Sequence, residues 1–143
     1  MSHIDGAAAR NCWSKIKSAQ GETAFVGNFY QYMFDHYPET RDLFPKGLSA
    51  QKANILTTLD NVINGIDFIE TLKTELFSLG QRHKSLGIKK EMFEIFIITI
   101  VEVAKIASND TLTHKELSAW ENAFREISNL MLKAYESPLT VSA

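Results

Sequence analysis

The chain has 143 residues, 45% hydrophobic and 22% charged, which suits a globular domain with a sizeable core and excludes a disordered chain. A net charge of −2, with no run of Lys or Arg, gives no electrostatic reason to expect nucleic acid or a membrane surface as partner. Cys12 is the sole cysteine, so an intrachain disulfide and a thiolate metal cluster are excluded.

The N-terminus lacks the basic and apolar regions of a secretory signal, and the longest largely apolar run, residues 95–101, is too short to span a bilayer. A soluble, cytoplasmic protein is expected. No repeat, linker or low-complexity tract divides the chain, so residues 1–143 read as one domain.

The periodic segments read as helices almost throughout. A first helix over about residues 4–18 turns Trp13 and Ile16 inward and breaks near Gly21. A second carries Val26, Phe29, Tyr30, Met33 and Phe34 and ends before Pro38, which starts a short helical turn. Phe44-Pro45-Lys46-Gly47 is a corner. Ile55, Leu59, Val62, Ile63 and Ile66 then form a 3.6-residue stripe on a long helix, with Gln51 one turn earlier.

Leu72, Leu76, Leu79, His83 and Leu86 follow at steps of four, three, four and three, one face of a helix closing near Gly87. Residues 92–106 are rich in β-branched residues. Composition alone allows a strand over 95–103, but length and helical neighbours favour a buried helix. Thr113 and Glu116 form a capping box before Trp120, Phe124, Ile127, Met131 and Ala134. The result is an all-α domain of about seven helices, with short connections and unequal lengths that favour an irregular pack over a symmetric bundle.

His83 is the residue to explain, because a neutral imidazole on an apolar stripe needs partners for its nitrogens. The stripe alone favours a core histidine bonded to a carbonyl one turn back; ligation of a metal is the alternative. His3, His36 and His114 lie outside apolar stripes, which disfavours a multi-histidine zinc site. A haem iron needs only one protein ligand. Tyr30 and Gln51 are polar residues on otherwise apolar faces; each alone reads as a rim tyrosine and a solvated first-turn glutamine. Phosphate loops, a nucleophile elbow, a His-Glu-x-x-His helix and paired cysteines are absent from the sequence, and Cys12 reads as a small buried hydrophobe.

Taken in order, Trp13, Tyr30, residues 34–45 (FDHYPETRDLFP), Gln51 and residues 79–88 (LGQRHKSLGI) resemble a globin. The type most resembled is a single-domain haemoglobin like the globin domain of flavohaemoglobins, and the likeness covers essentially the whole chain. Intervals of 14 residues from Tyr30 to Phe44, 7 to Gln51 and 32 to His83 support it. The 7-residue gap leaves no room for the small extra helix that myoglobins carry there.

The resemblance implies a globin-like fold and a haem b cofactor, with a short corner between the second and distal helices. His83 becomes the proximal iron ligand and Phe44 the corner phenylalanine on the haem. Gln51 takes the distal position with Ile55 one turn on, and Tyr30 points its hydroxyl into the distal pocket. Leu79, Ile88 and Phe93 line the haem, with Arg82 a propionate partner. The pattern also departs from that family. Where flavohaemoglobins bracket the proximal histidine with a tyrosine and a glutamate, this chain has Phe93 and Tyr135. The missing carboxylate puts peroxidase-like oxygen activation in doubt.

The resemblance thus leads to an oxygen-binding protein for storage, transport or buffering, with Tyr30 and Gln51 hydrogen-bonding the oxygen. Diatomic gases, nitric oxide and carbon monoxide included, are the implied ligands, and a monomer or small homo-oligomer is expected. Nitric oxide dioxygenation with an external reductase is the enzymatic alternative. A gas or redox sensor is a further one, in which Tyr30 or Lys52 ligates ferric iron. A haem-free interaction module is disfavoured by the retention of Phe44 and His83.

Overall fold

The computed structural model describes residues 4–44 and 47–136. Six α-helices carry the architecture: α1 (Gly6–Ala19), α2 (Glu22–His36), α3 (Ser49–Asn64), α4 (Lys73–Ser85), α5 (Lys90–Ala107) and α6 (His114–Glu136). Two 3-10 helices, Pro38–Leu43 and Ile66–Leu72, connect α2 to α3 and α3 to α4. No strand occurs among the described residues, and residues 95–103 are helical as their length suggested. No described helix is long and apolar enough to cross a membrane.

Local chemistry sets the helix ends. The Asp5 carboxylate accepts from the Ala8 amide at the start of α1. The expected capping box closes α6: the Glu116 amide donates to Thr113 Oγ1 and the Thr113 amide to the Glu116 carboxylate, both at 3.0 Å. Lys15 of α1 reaches the same carboxylate at 2.8 Å, tying α1 to α6. It also holds the Glu116 carboxyl below its ordinary range, with the Thr113 amide adding to the effect.

The core is aromatic at its centre. Trp13 and Trp120 stack at 5.8 Å, and Phe25 and Phe124 pack edge-on to Trp120. Both indole N–H groups are satisfied: Trp13 donates to Asp60 at 2.7 Å and Trp120 to the Ile100 carbonyl at 3.1 Å. Cys12 is fully buried beside this cluster, and burial pushes its thiol up to about 12, so it behaves as a small hydrophobe.

The packing leaves one separation that matters. α3 rests on α1 and α2, whereas α4 lies along α6, and among the described residues α3 and α4 share at most marginal contact. The long apolar stripe ends sooner than expected, because α3 stops at Asn64 and Ile66 and Leu72 belong to the 3-10 connector. Leu86 corrects the other stripe. It is the C-cap of α4 and 71% exposed, so the inward face ends with His83.

Candidate functional site

His83 lies in the last turn of α4, half-buried, with its Nδ1 2.8 Å from the Leu79 carbonyl oxygen. A carbonyl only accepts, so Nδ1 carries the proton and Nε2 carries the lone pair. The core-histidine geometry and the ligand geometry are therefore one arrangement: the carbonyl bond fixes the tautomer and leaves Nε2 as the donor atom for a metal. Burial lowers the imidazole's affinity for a second proton, the Leu79 carbonyl opposes that, and the Arg82 charge reinforces it. The ring is kept in its neutral, ligating form.

Its backbone is equally constrained. The Ile88 amide donates to the His83 carbonyl and the Gly87 amide to the Lys84 carbonyl, both at 3.1 Å, which is a Schellman close to α4. Gly87 has φ of +84°, a conformation only glycine takes without strain. Tyr135 of α6 then donates its hydroxyl to the Ile88 carbonyl at 2.5 Å. The Tyr135 ring stands edge-on to Phe93 at 5.5 Å, and Phe93 lies 6.0 Å from the His83 ring. His83, Ile88, Tyr135 and Phe93 thus close a circuit of contacts.

The Tyr135 hydroxyl, at the position where the resemblance expects a carboxylate, serves the corner after α4 rather than the His83 ring. Gly80 has a role that the sequence does not reveal, since a Cβ there would collide with the Met131 carbonyl oxygen. Only glycine lets α4 lie this close to α6. Its signal was a glycine inside a helix, which costs about 1 kcal/mol against alanine and asks for a packing reason.

On the opposite side, Tyr30 of α2 is 5% exposed, with its ring edge-on to Phe44 at 5.5 Å and to Phe29 at 5.0 Å. Its hydroxyl bonds to no described residue. Burial pushes that phenol up to about 12, so it remains an O–H donor at neutral pH rather than a phenolate ligand. Phe44 is half-buried and also meets Phe34 at 5.9 Å, while the Arg41 guanidinium covers Phe34 at 4.9 Å. Pro45 and Lys46 of the expected corner lie outside the described residues, as does His3.

The structure therefore gathers the expected site residues into two clusters, Tyr30 with Phe44 and His83 with Leu79, Ile88 and Phe93. Ile55, Leu79 and Ile88 are half-buried and packed against the core. Gln51, in the first turn of α3, and Arg82, in the last turn of α4, are exposed and held by neither cluster. His36 stacks on Tyr32 at 3.8 Å and lines a separate groove of about 200 Å³ between α2 and α5 that shares no residue with the expected site. No grouping of three metal-ligating side chains occurs among the described residues.

These features fit a flat apolar group centred on a metal. α3 and α4 share little contact, half-buried apolar side chains from several elements lie at the edge of the core, and one imidazole offers a free lone pair. A porphyrin would supply four ligands of its own, so one histidine is enough.

Comparison with known proteins agrees. The globin family model matches residues 27–131, and the chain belongs to the globin family. Membership implies a haem cofactor and diatomic gases as its ligands. The flavohemoprotein of Bacillus subtilis is 28% identical over 121 residues, 82% of this chain and 30% of that protein. The flavohemoprotein of Pseudomonas aeruginosa is 25% identical, covering 86% of this chain and 32% of its own length. The chain thus spans about a third of these relatives. A bacterial globin from Campylobacter jejuni superposes with a TM-score of 0.75 at 20% identity, over 92% of this chain and 97% of that one, which shows the shared fold.

Proposed function

We propose that this protein is an oxygen-binding globin that stores, carries or buffers dioxygen on haem b, with His83 Nε2 as the protein's ligand to iron. The observation that carries this reading is the Nδ1 bond to the Leu79 carbonyl, which commits the ring to the ligating tautomer. When bound, haem would be held by His83 and would supply a ferrous iron able to take a diatomic gas.

The rest is work for the chain's own residues. Phe44, Ile55, Leu79, Ile88 and Phe93 exclude water from the porphyrin faces, and Arg82 neutralises a propionate at the rim. Tyr30 donates its free O–H toward the gas, and Gln51 swings in from solvent as a second donor. Two donors at the gas site would favour dioxygen over carbon monoxide, because dioxygen is the better hydrogen-bond acceptor there. Each contributes about 1–3 kcal/mol when charge-assisted. With a carbonyl rather than a carboxylate behind His83, the ring stays a neutral donor, which suits holding oxygen over cleaving it.

Nitric oxide dioxygenation is the second reading, favoured by the likeness to flavohemoproteins. It uses the same donors and needs an external reductase.

The absorption spectrum of haem-loaded protein, reduced and then exposed to oxygen, tests both. A Soret band that shifts on oxygenation and returns on degassing is expected, and its absence overturns the first reading. Sustained nitrate formation from nitric oxide with a reductant, rather than a single turnover, would move the assignment to the enzyme.

A further inference from the structure

Residues 82–90 hold Arg82, Lys84, Lys89 and Lys90 with no carboxylate among them, in a chain of net charge −2. Glu91 follows in the first turn of α5. Several cations elsewhere are paired, among them Arg10 with Asp67, Lys15 with Glu116, Lys105 with Glu102 and Arg125 with Glu94, and no other stretch of nine described residues holds four unpaired ones. The four at this corner make no ion pair with any described residue.

Two of them also break a local rule. Lys89 is the N-cap of α5 and Lys90 its first residue, at the positive end of the helix dipole, and Lys89 makes no side-chain capping bond. A carboxylate or hydroxyl would stabilise that terminus; lysines raise its energy. Amid these charges Leu86 stands 71% exposed. An apolar centre with a charged rim is the anatomy of a protein docking surface, and a local rule broken at no structural gain marks a functional position.

We propose that this corner, with Leu86 at its centre and Lys84, Lys89 and Lys90 around it, docks an acidic protein that donates single electrons. The inference rests on the haem reading above, because the surface begins one residue beyond the proposed iron ligand. Oxygen-binding haem drifts to the ferric state, which binds no oxygen until it regains an electron. The partner's reduced flavin loses one electron and the ferric iron gains it, with no bond made or broken in this chain. Charge complementarity sets the encounter rate and orientation, and Leu86 excludes water at the centre.

Calorimetric titration with flavodoxin, an acidic flavin carrier, tests the surface at about 20 mM and about 300 mM salt. The wild type should bind at low salt and weaken sharply at high salt. Lys89→Glu/Lys90→Glu should weaken low-salt binding about tenfold or more, and Leu86→Ser should weaken binding at both salts. Both glutamates sit favourably at the start of α5, so misfolding does not explain a loss. The double variant should keep the wild-type Soret band and its reduction by dithionite, while reduction by reduced flavodoxin slows in parallel with binding.

Equal affinity in wild type and variants, salt-independent binding, or preference for phosphatidylserine vesicles over flavodoxin overturns the proposal. A missing Soret band sinks the haem reading separately, since the titration reads the surface with or without haem.

Discussion

The two clusters of expected site residues are built on opposite plans. On the α4 side the groups that position the imidazole are bonded: His83 Nδ1 to Leu79, the His83 carbonyl to Ile88, the Ile88 carbonyl to Tyr135. On the α2–α3 side the rings are packed but the polar tips are free, the Tyr30 hydroxyl without a described partner and Gln51 exposed in the first turn of α3. The side proposed to hold iron is locked in one geometry. The side proposed to meet a small gas keeps unspent donors that a ligand can claim.

Breaking the locked side should have the largest effect. Gly80→Ala places a methyl against the Met131 carbonyl, so α4 must move off α6 and carry His83 with it. A loss of about 1–3 kcal/mol or more in denaturant unfolding is expected, together with faster haem loss to an acceptor apoprotein. Wild-type stability in that variant would show that the close approach matters little.

Tyr30→Phe probes the free side. It removes a donor and leaves the ring packing intact, so thermal stability should hardly change. The oxygen dissociation rate measured by stopped flow should rise about tenfold or more, matching about 1–3 kcal/mol. An unchanged rate would contradict the distal assignment.

Tyr135→Phe sharpens the contrast. The Ile88 carbonyl loses its donor while the edge-on contact with Phe93 survives, and a stability loss of about 1 kcal/mol is expected. Oxygen dissociation should stay near the wild-type value, because the lost bond lies on the locked side.

The smallest effect is expected far from the pocket. Glu116 has a folded-state pKa held below its unfolded value by Lys15 and the Thr113 amide. Its contribution is present above the unfolded pKa, about 4.3, and is lost as pH falls through the folded value. The melting-temperature gap between wild type and Glu116→Gln should therefore be fully open at neutral pH and close in acid. A gap that persists in acid would assign it to packing instead.

Much of the fold was legible because apolar spacing reports which helix face is buried. The stripes through Trp13 and Ile16, Leu59 and Ile63, and Trp120 and Phe124 all point inward. Periodicity failed where helix type changes: a 3-10 turn keeps Ile66 buried at a spacing that also suits an α-helix, so the break at Gly65 was invisible. Leu86 was assigned to the buried face because a stripe cannot show that the helix stops and the chain turns away at Gly87.

The candidate site was legible only in part for a different reason. His83 stood out as a polar residue among leucines, but Tyr30 and Phe44 lie on different elements, and no local rule relates them. Their proximity is a tertiary fact that resemblance supplied and the 5.5 Å ring contact now describes. The role of Gly80 and the bond made by Tyr135 are not legible in sequence because they lie in backbone contacts with distant residues, Met131 and Ile88, which side-chain patterns do not record.

The central claim is that His83 Nε2 is the protein's one ligand to the haem iron. The most direct measurement is the Soret spectrum of haem-loaded His83→Gly, with and without added imidazole. The account predicts a weakened or shifted band that free imidazole restores, since the small ring can occupy the space that the side chain vacates. A wild-type spectrum in the variant without imidazole would contradict it.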